Sequence, residues 1–272
     1  MKQPFQIGLI CLTLLLSLII LPINLSPSTY DKTKVVFNSY DYNDSVYYVT
    51  KIYYRNELGK VSPVQKAYAN DGFGRGLEEV LSFSERQHPS VAINASVFNP
   101  DRGEAYGIQM KDGEFQKEQN DLGNSWLLGS DQTGKLYTFP SQAADKVMET
   151  KNIVNTWQGF FPLVVDGEWK DYYRSYSIPN IRIDNPRQII MQDYYNNTYI
   201  YTFDGRTEKN SGITYTDFYH IIKNKVKNIR VAYVLDGGGS TSLVLDGKAK
   251  NDLIGTSKEK AGRKVADYIY FD

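Results

Sequence analysis

Asp236 heads the densest chemical signal in the chain, the stretch Tyr233 to Gly247, YVLDGGGSTSLVLDG. An apolar run ends in a carboxylate, followed by Gly237, Gly238 and Gly239 and then the hydroxyls of Ser240, Thr241 and Ser242. A simple turn does not need three consecutive glycines. They allow close backbone approach to a ligand and can aim several N–H groups at an anion. The stretch therefore points to a phosphate or sugar-phosphate site, although Asp236 could equally be a turn residue bonding its own following N–H groups. Two other segments carry polar groups at the ends of apolar runs. Arg187 follows Pro186 and precedes Ile189-Ile190-Met191, a placement that suits bidentate phosphate binding or a structural ion pair. Asn94 follows Val91-Ala92-Ile93, which puts a side-chain amide at a strand end.

Other chemistries are poorly supplied. The only histidines are His88, in a turn before Pro89, and His220, on the polar side of an amphipathic segment. The single cysteine, Cys11, lies in an N-terminal apolar run. No cluster calls for zinc, no GxSxG elbow accompanies a triad, and neither GxxxxGK[ST] nor GxGxxG spacing occurs. Carboxylate, arginine, amide and hydroxyl chemistry remains, with no required metal or cofactor, though a divalent cation is compatible. The 31 basic and 31 acidic residues balance, so the electrostatic footprint of a nucleic-acid binder is missing.

The elements that must position these residues are mostly strands. VYYVTKIYYR (46–55) is β-branched and aromatic. Asp-Gly recurs at 112–113, 166–167, 204–205 and 246–247 after apolar or mixed runs, which predicts antiparallel hairpins. Helices are expected at 76–87 and at 214–228, where Phe218, Ile221, Ile222 and Val226 share a face and Thr214 or Thr216 can cap the start. The second helix runs into the strand Ile229–Leu235 that delivers Asp236. The expected fold class is α+β, a strand-rich mixed or antiparallel core with a few flanking helices. Residues 35–272 form one domain, preceded by a polar linker at 24–34. Residues 1–23 contain an uncharged run, 7–23, that would span roughly 26 Å as a helix. They read as a signal peptide or membrane anchor. The expected setting is extracytoplasmic, membrane-anchored or secreted, on the surface of a Gram-positive bacterium, since the exported part has no cysteine.

Read together, INASVF (93–98), YGIQMKDG (106–113), FPLVVDGEW (161–169), NPRQIIMQD (185–193), GITYTDFYHII (212–222), VLDGGGSTSLVLDGK (234–248) and Arg263-Lys264-Val265-Ala266-Asp267 stand in an order that resembles the phosphodiester glycosidase family. That family is typified by N-acetylglucosamine-1-phosphodiester alpha-N-acetylglucosaminidase. The resemblance implies hydrolysis of the bond between a sugar's anomeric carbon and a phosphodiester, freeing the sugar and leaving a phosphomonoester. It makes Asp236, Arg187 and Asn94 the catalytic candidates, and Gly237, Gly238, Gly239, Ser240, Thr241 and Arg263 the substrate- and phosphate-binding ones. Asp193, Asp204 and Asp267 are candidates for a partner carboxylate, and Trp157 for a sugar-stacking ring or core filler. The expected partner is a sugar-phosphate or cell-surface polysaccharide such as teichoic acid or exopolysaccharide. The alternatives are a surface module that binds such polymers without cleaving them, or an enzyme that transfers the sugar to another hydroxyl. The chain departs from the family pattern at Ala95 and Ser96, where two glycines follow the Asn, and at Gln188, where a Thr follows the Arg.

Overall fold

The computed structural model describes residues 32–172, 182–255 and 262–272, so the apolar run at 1–23 and most of the 24–34 linker lie outside the described residues. The α+β expectation holds, and every strand pair is antiparallel. Strands are numbered along the chain. The largest sheet runs, in spatial order, β1 (Val35–Tyr42), β2 (Ser45–Ile52), β15 (Thr198–Phe203), β14 (Arg187–Asp193), β16 (Ile229–Val234), β12 (Pro162–Val165) and β13 (Glu168–Trp169). A second sheet runs β18 (Lys248–Ala249), β17 (Leu243–Leu245), β4 (Val91–Asn94), β19 (Asp267–Phe271) and β3 (Gln65–Tyr68). A third runs β10 (Leu136–Pro140), β9 (Trp126–Asp131) and β11 (Ile153–Trp157). Two short ribbons complete the set, β5 (Phe98–Asn99) with β6 (Glu104–Ala105), and β7 (Gln109–Lys111) with β8 (Glu114–Lys117).

The central strands β14, β16 and β4 are buried at every position because both of their faces meet a core, while side chains still alternate with a period of two. In β16, Val231 and Tyr233 enter the core shared with β4, β17 and β19, while Ala232 and Val234 face the opposite core. In the second sheet, Val91 and Ile93 share that common core, whereas Ala92 faces a third cluster with Val244 and Tyr268. The outer faces are covered by helices: α3 (Tyr215–Lys225) on the seven-stranded sheet and α1 (Val80–Gln87) on the five-stranded one. A further helix, α2 (Ala144–Lys151), packs Ala144 and Met148 against Leu127, Phe139 and Ile153. Phe218 and Ile222 of α3 are fully buried, each stabilising the layer by about 1.5–3 kcal/mol.

Three predicted hairpins form. Asp112-Gly113, Asp166-Gly167 and Asp246-Gly247 all have positive φ at both residues and close β7–β8, β12–β13 and β17–β18. Asp204-Gly205 does not form one. Neither residue has positive φ, and the left-handed position falls instead on Arg206 (φ 60°). Gly205 is required by crowding, since a Cβ there would stand 2.7 Å from Gly212 Cα and 2.9 Å from Pro186 Cδ. The strand before it therefore leads into a folded loop, not a returning strand.

Candidate active site

The DGGGS segment is the crossover between the two main sheets. Leu235 N–H still bonds the seven-stranded sheet through Gln188 O (3.0 Å), while Asp236 N–H bonds Ala95 O beyond β4 (3.0 Å). Seven residues later the chain is in the five-stranded sheet, with Leu243 opposite Ile93. Asn94, fully buried, clamps both ends of this passage. Its Nδ2 donates to Asp236 O (2.8 Å), and its Oδ1 accepts from Ser242 N–H (3.0 Å). Arg187 opens β14, beside the end of the antiparallel β16, so the topology brings Asn94, Arg187 and Asp236 to one place.

The glycines are explained by what lies against them. A Cβ on Gly237 would meet Pro186 O at 3.0 Å. Gly238 has φ 60°, and a Cβ would stand 3.1 Å from Arg206 Nη2. A Cβ on Gly239 would meet Ile254 O at 3.1 Å, with Arg263 Nε at 3.9 Å. The triple glycine is thus a flat floor on which two arginines rest. It is a less open N–H cradle than the sequence suggests. Gly237 N–H bonds Asp236 Oδ1 (3.0 Å), Gly238 N–H bonds Pro186 O (2.9 Å), and the N–H groups of Ser240 and Thr241 bond Gly237 O and Gly238 O. The turn-type reading of Asp236 is therefore part of the structure, and positive side chains surround the site more than bare amides do.

Asp236 keeps a partly accessible edge while its carboxylate is crowded by protein atoms. Burial pushes its pKa up to about 6, against the opposing pull of Ser240, the Gly237 N–H and Arg263; nearby Asp267 adds to the rise. Arg187, 5% exposed, lies with its guanidinium 3.8 Å over the Tyr215 ring. Its Nε donates to Ile213 O (3.2 Å) and its Nη2 to Ile183 O (2.9 Å). Burial lowers its pKa, and Arg206 adds to the lowering. Tyr215 is the first residue of α3, held there by Thr214, whose Oγ1 accepts the Asp217 N–H (3.1 Å). The buried hydroxyl of Thr241 finds no hydrogen-bond partner among the described residues. Thr241 Oγ1 would be 3.9 Å from a Gly237 Cβ, so this orphaned hydroxyl lies at the Asp236–Gly237 corner.

The partner carboxylates separate cleanly. Asp193 lies at the far end of β14, roughly 20 Å from Arg187 along the strand. There it closes a turn by accepting from Tyr195 N–H (2.8 Å) and Asn197 N–H (2.9 Å). Asp204 is buried and accepts from Tyr48 Oη (2.9 Å) and Asp252 N–H (2.9 Å); burial pushes its pKa up to about 6. Asp267 lies beneath the Asn94 wall and accepts from Ser96 N–H (2.8 Å), Ser96 Oγ (2.7 Å) and the fully buried Lys66 (3.1 Å). Trp157 is core filler, fully buried, with its Nε1 directed to Tyr268 O (3.4 Å). His88 caps the end of α1, and His220 is exposed on α3. Among the described residues no three His, Cys, Asp or Glu side chains gather as a metal site. Arg206, Tyr215 and Lys66 are the site residues that sequence reasoning missed. Arg206 directly follows an Asp-Gly pair that looks like a hairpin turn.

The antiparallel two-sheet core is thus crossed at one end by a carboxylate on a glycine floor, with arginines resting beside it. The phosphodiester glycosidase family model matches residues 87–272, and the chain belongs to that family. The SPbeta prophage-derived uncharacterized protein YomE of Bacillus subtilis is 31% identical over 223 residues. The match covers 76% of this chain but 34% of YomE, so the chain spans about a third of that relative's length. The catalytic domain of zebrafish N-acetylglucosamine-1-phosphodiester alpha-N-acetylglucosaminidase, auto-inhibited by its pro-peptide, shares the fold with a TM-score of 0.67. It is 20% identical, covering 90% of this chain and 84% of that one. A hypothetical protein from Synechocystis shares the fold at a TM-score of 0.62 and 14% identity, over 88% of this chain and 62% of that one.

Proposed function

We propose that the protein is an extracytoplasmic hydrolase that cleaves the glycosidic bond of a sugar-1-phosphodiester in a cell-surface glycan. The observation that carries this is the placement of Asp236 on the inter-sheet crossover with Arg187, Arg206 and Arg263 gathered around it. Asp236, with its pKa near 6, is mostly ionised at neutral pH and suited to take a proton from water. Water adds at the anomeric carbon, the bond to phosphate oxygen breaks, and its electron pair leaves with the phosphate. The products are free sugar and a phosphomonoester. The leaving group is already a stable anion, so fixed positive charge matters more than a strong general acid. This differs from the paired-carboxylate arrangement of ordinary glycosidases.

The family departures do not obstruct this reading. Ala95 is packed in the common core, and Ser96 is 1% exposed, its hydroxyl turned to Asp267 and accepting from Gln158 N–H (3.2 Å). Both side chains point into the protein, which favours an enzyme over a binding-only module. The reading calls on no metal or cofactor. N-acetylglucosamine-1-phosphomethyl diester is a direct test substrate: the protein releases reducing sugar at a rate unchanged by EDTA, and Asp236→Asn stops the release. Binding of the diester without turnover, with or without added Mg2+ or Ca2+, would establish the polymer-binding module instead. Sugar found on an added alcohol in place of water would establish a transferase.

A further inference from the structure

The arginines around Asp236 are not equivalent. Arg187 is buried, with two of its N–H directions committed to the carbonyls of Ile213 and Ile183 and one face covered by Tyr215. Arg206 is exposed, and its side chain makes one hydrogen bond among the described residues, Nε to Asn185 Oδ1 (2.8 Å). Both of its terminal nitrogens lie over Gly238, at 3.1 and 3.3 Å from where a Cβ would be. Among the described residues no carboxylate pairs with it. A guanidinium anchored through Nε alone presents its two terminal nitrogens as a fork, the geometry that matches two phosphate oxygens.

The backbone conformation adds a second observation. Arg206 has φ 60°, a left-handed conformation that is strained for a non-glycine residue. Such strain persists only where the surroundings over-determine it. Here Arg206 N–H bonds Ser211 O (3.2 Å), Thr207 N–H bonds Asn210 O (2.9 Å), and Asn210 Nδ2 bonds Asp252 (3.1 Å). Asp204, immediately before the turn, is fixed by Tyr48 and Asp252. The anchor Asn185 is itself paired through its backbone to Ile213, the residue that Arg187 holds. The loop thus delivers one exposed guanidinium to the glycine floor, and the buried Arg187 braces the corner beneath it.

We propose that Arg206 is the bidentate phosphate contact of the site, and that Arg187 is a positioning residue acting through the 183–187 and 213–215 corner. The proposal rests on the sugar-phosphodiester reading for its substrate, but phosphate recognition can be measured separately. The test titrates the full-length protein with inorganic phosphate by calorimetry, and in parallel measures kcat and KM on N-acetylglucosamine-1-phosphomethyl diester. Arg206→Ala weakens phosphate binding by about tenfold or more, and lowers kcat/KM by about 100-fold. Its melting temperature stays close to that of wild type, because the guanidinium is exposed and alanine bears the same left-handed backbone strain as arginine. Arg206→Lys restores little, since an ammonium offers no fork. Arg187→Lys keeps phosphate affinity within about threefold while lowering the melting temperature. If Arg206→Ala binds phosphate as wild type does, or if wild type binds none, the assignment to Arg206 falls. If phosphate binding depends on Arg206 but no diester is cleaved, the assignment stands and the hydrolase reading falls.

Discussion

In the proposed reaction Asp236 acts only once its proton is gone, and its surroundings set the pH at which that happens. Burial raises its pKa from 3.8 to about 6, so activity that depends on the carboxylate rises with pH through about 6 and levels above it. The same shift has a stability consequence of opposite sense. The folded state holds the proton more tightly than the unfolded chain does. The stabilising contribution is therefore full below about 3.8 and lost as pH rises through about 6. At neutral pH the ionised carboxylate costs about 3 kcal/mol. Asp236→Asn should therefore lower kcat by at least about 100-fold while leaving the melting temperature unchanged or higher. A pH–rate profile and a thermal melt at pH 7 check the two halves. The carboxylate, Asn94 and Arg187 stood out in the sequence because each lies at one end of an apolar run. Their division of labour was not. Asn94 spends its amide on the backbone of the crossover, and Arg187 spends N–H groups on carbonyls, facts that only the three-dimensional neighbours decide.

The elements were legible where a local rule acts alone. Asp-Gly at 112, 166 and 246 makes hairpins because nothing else competes for those residues. At 204–205 tertiary crowding against Gly212 and Pro186 overrode the turn, and the left-handed position moved to Arg206. The short α2 passed unnoticed because ADKVMETK buries only Ala144 and Met148, too few for a visible helical face. In the proposed site the element that supports Arg187 is α3, whose first residue, Tyr215, lies against the guanidinium. Thr214→Ala removes the hydroxyl that accepts Asp217 N–H and donates to the Asp217 carboxylate (2.8 Å), and should cost about 1 kcal/mol. Urea denaturation measures the loss, and a rise in KM on the diester shows whether Tyr215 carries the disturbance to Arg187. Gly238→Ala strikes the crossover itself. It puts a Cβ in the left-handed region, at about 1–2 kcal/mol, and displaces the Arg206 guanidinium. Its KM should rise with that of Arg206→Ala, and the double variant should show little further increase.

At the scale of the whole molecule, the buried Lys66–Asp267 pair joins the parts that hold the site. Lys66 on β3 donates to Asp267 on β19 (3.1 Å), to Gln109 on β7 (2.7 Å) and to Thr156 O on β11. Asp267 in turn fixes Ser96, the residue that follows the Asn94–Ala95 wall. Burial drags Lys66 down to about 8 despite the opposing pull of Asp267. A pair so buried is weak evidence of net stability, but breaking it is costly, because one charge is left alone in the interior. Lys66→Met should destabilise by about 3–5 kcal/mol in urea denaturation, and adding Asp267→Asn should recover part of that loss. The catalytic consequence is separable from the structural one. Asp267 already raises the pKa of Asp236. With Lys66 gone, an Asp267 that stays ionised acts on Asp236 without a neighbouring positive charge. The acid limb of the pH–rate profile then moves above about 6 in Lys66→Met and returns toward or below the wild-type position when Asp267→Asn is added. A limb that stays in place in both variants would show that the two sheets share a core but not an electrostatic field.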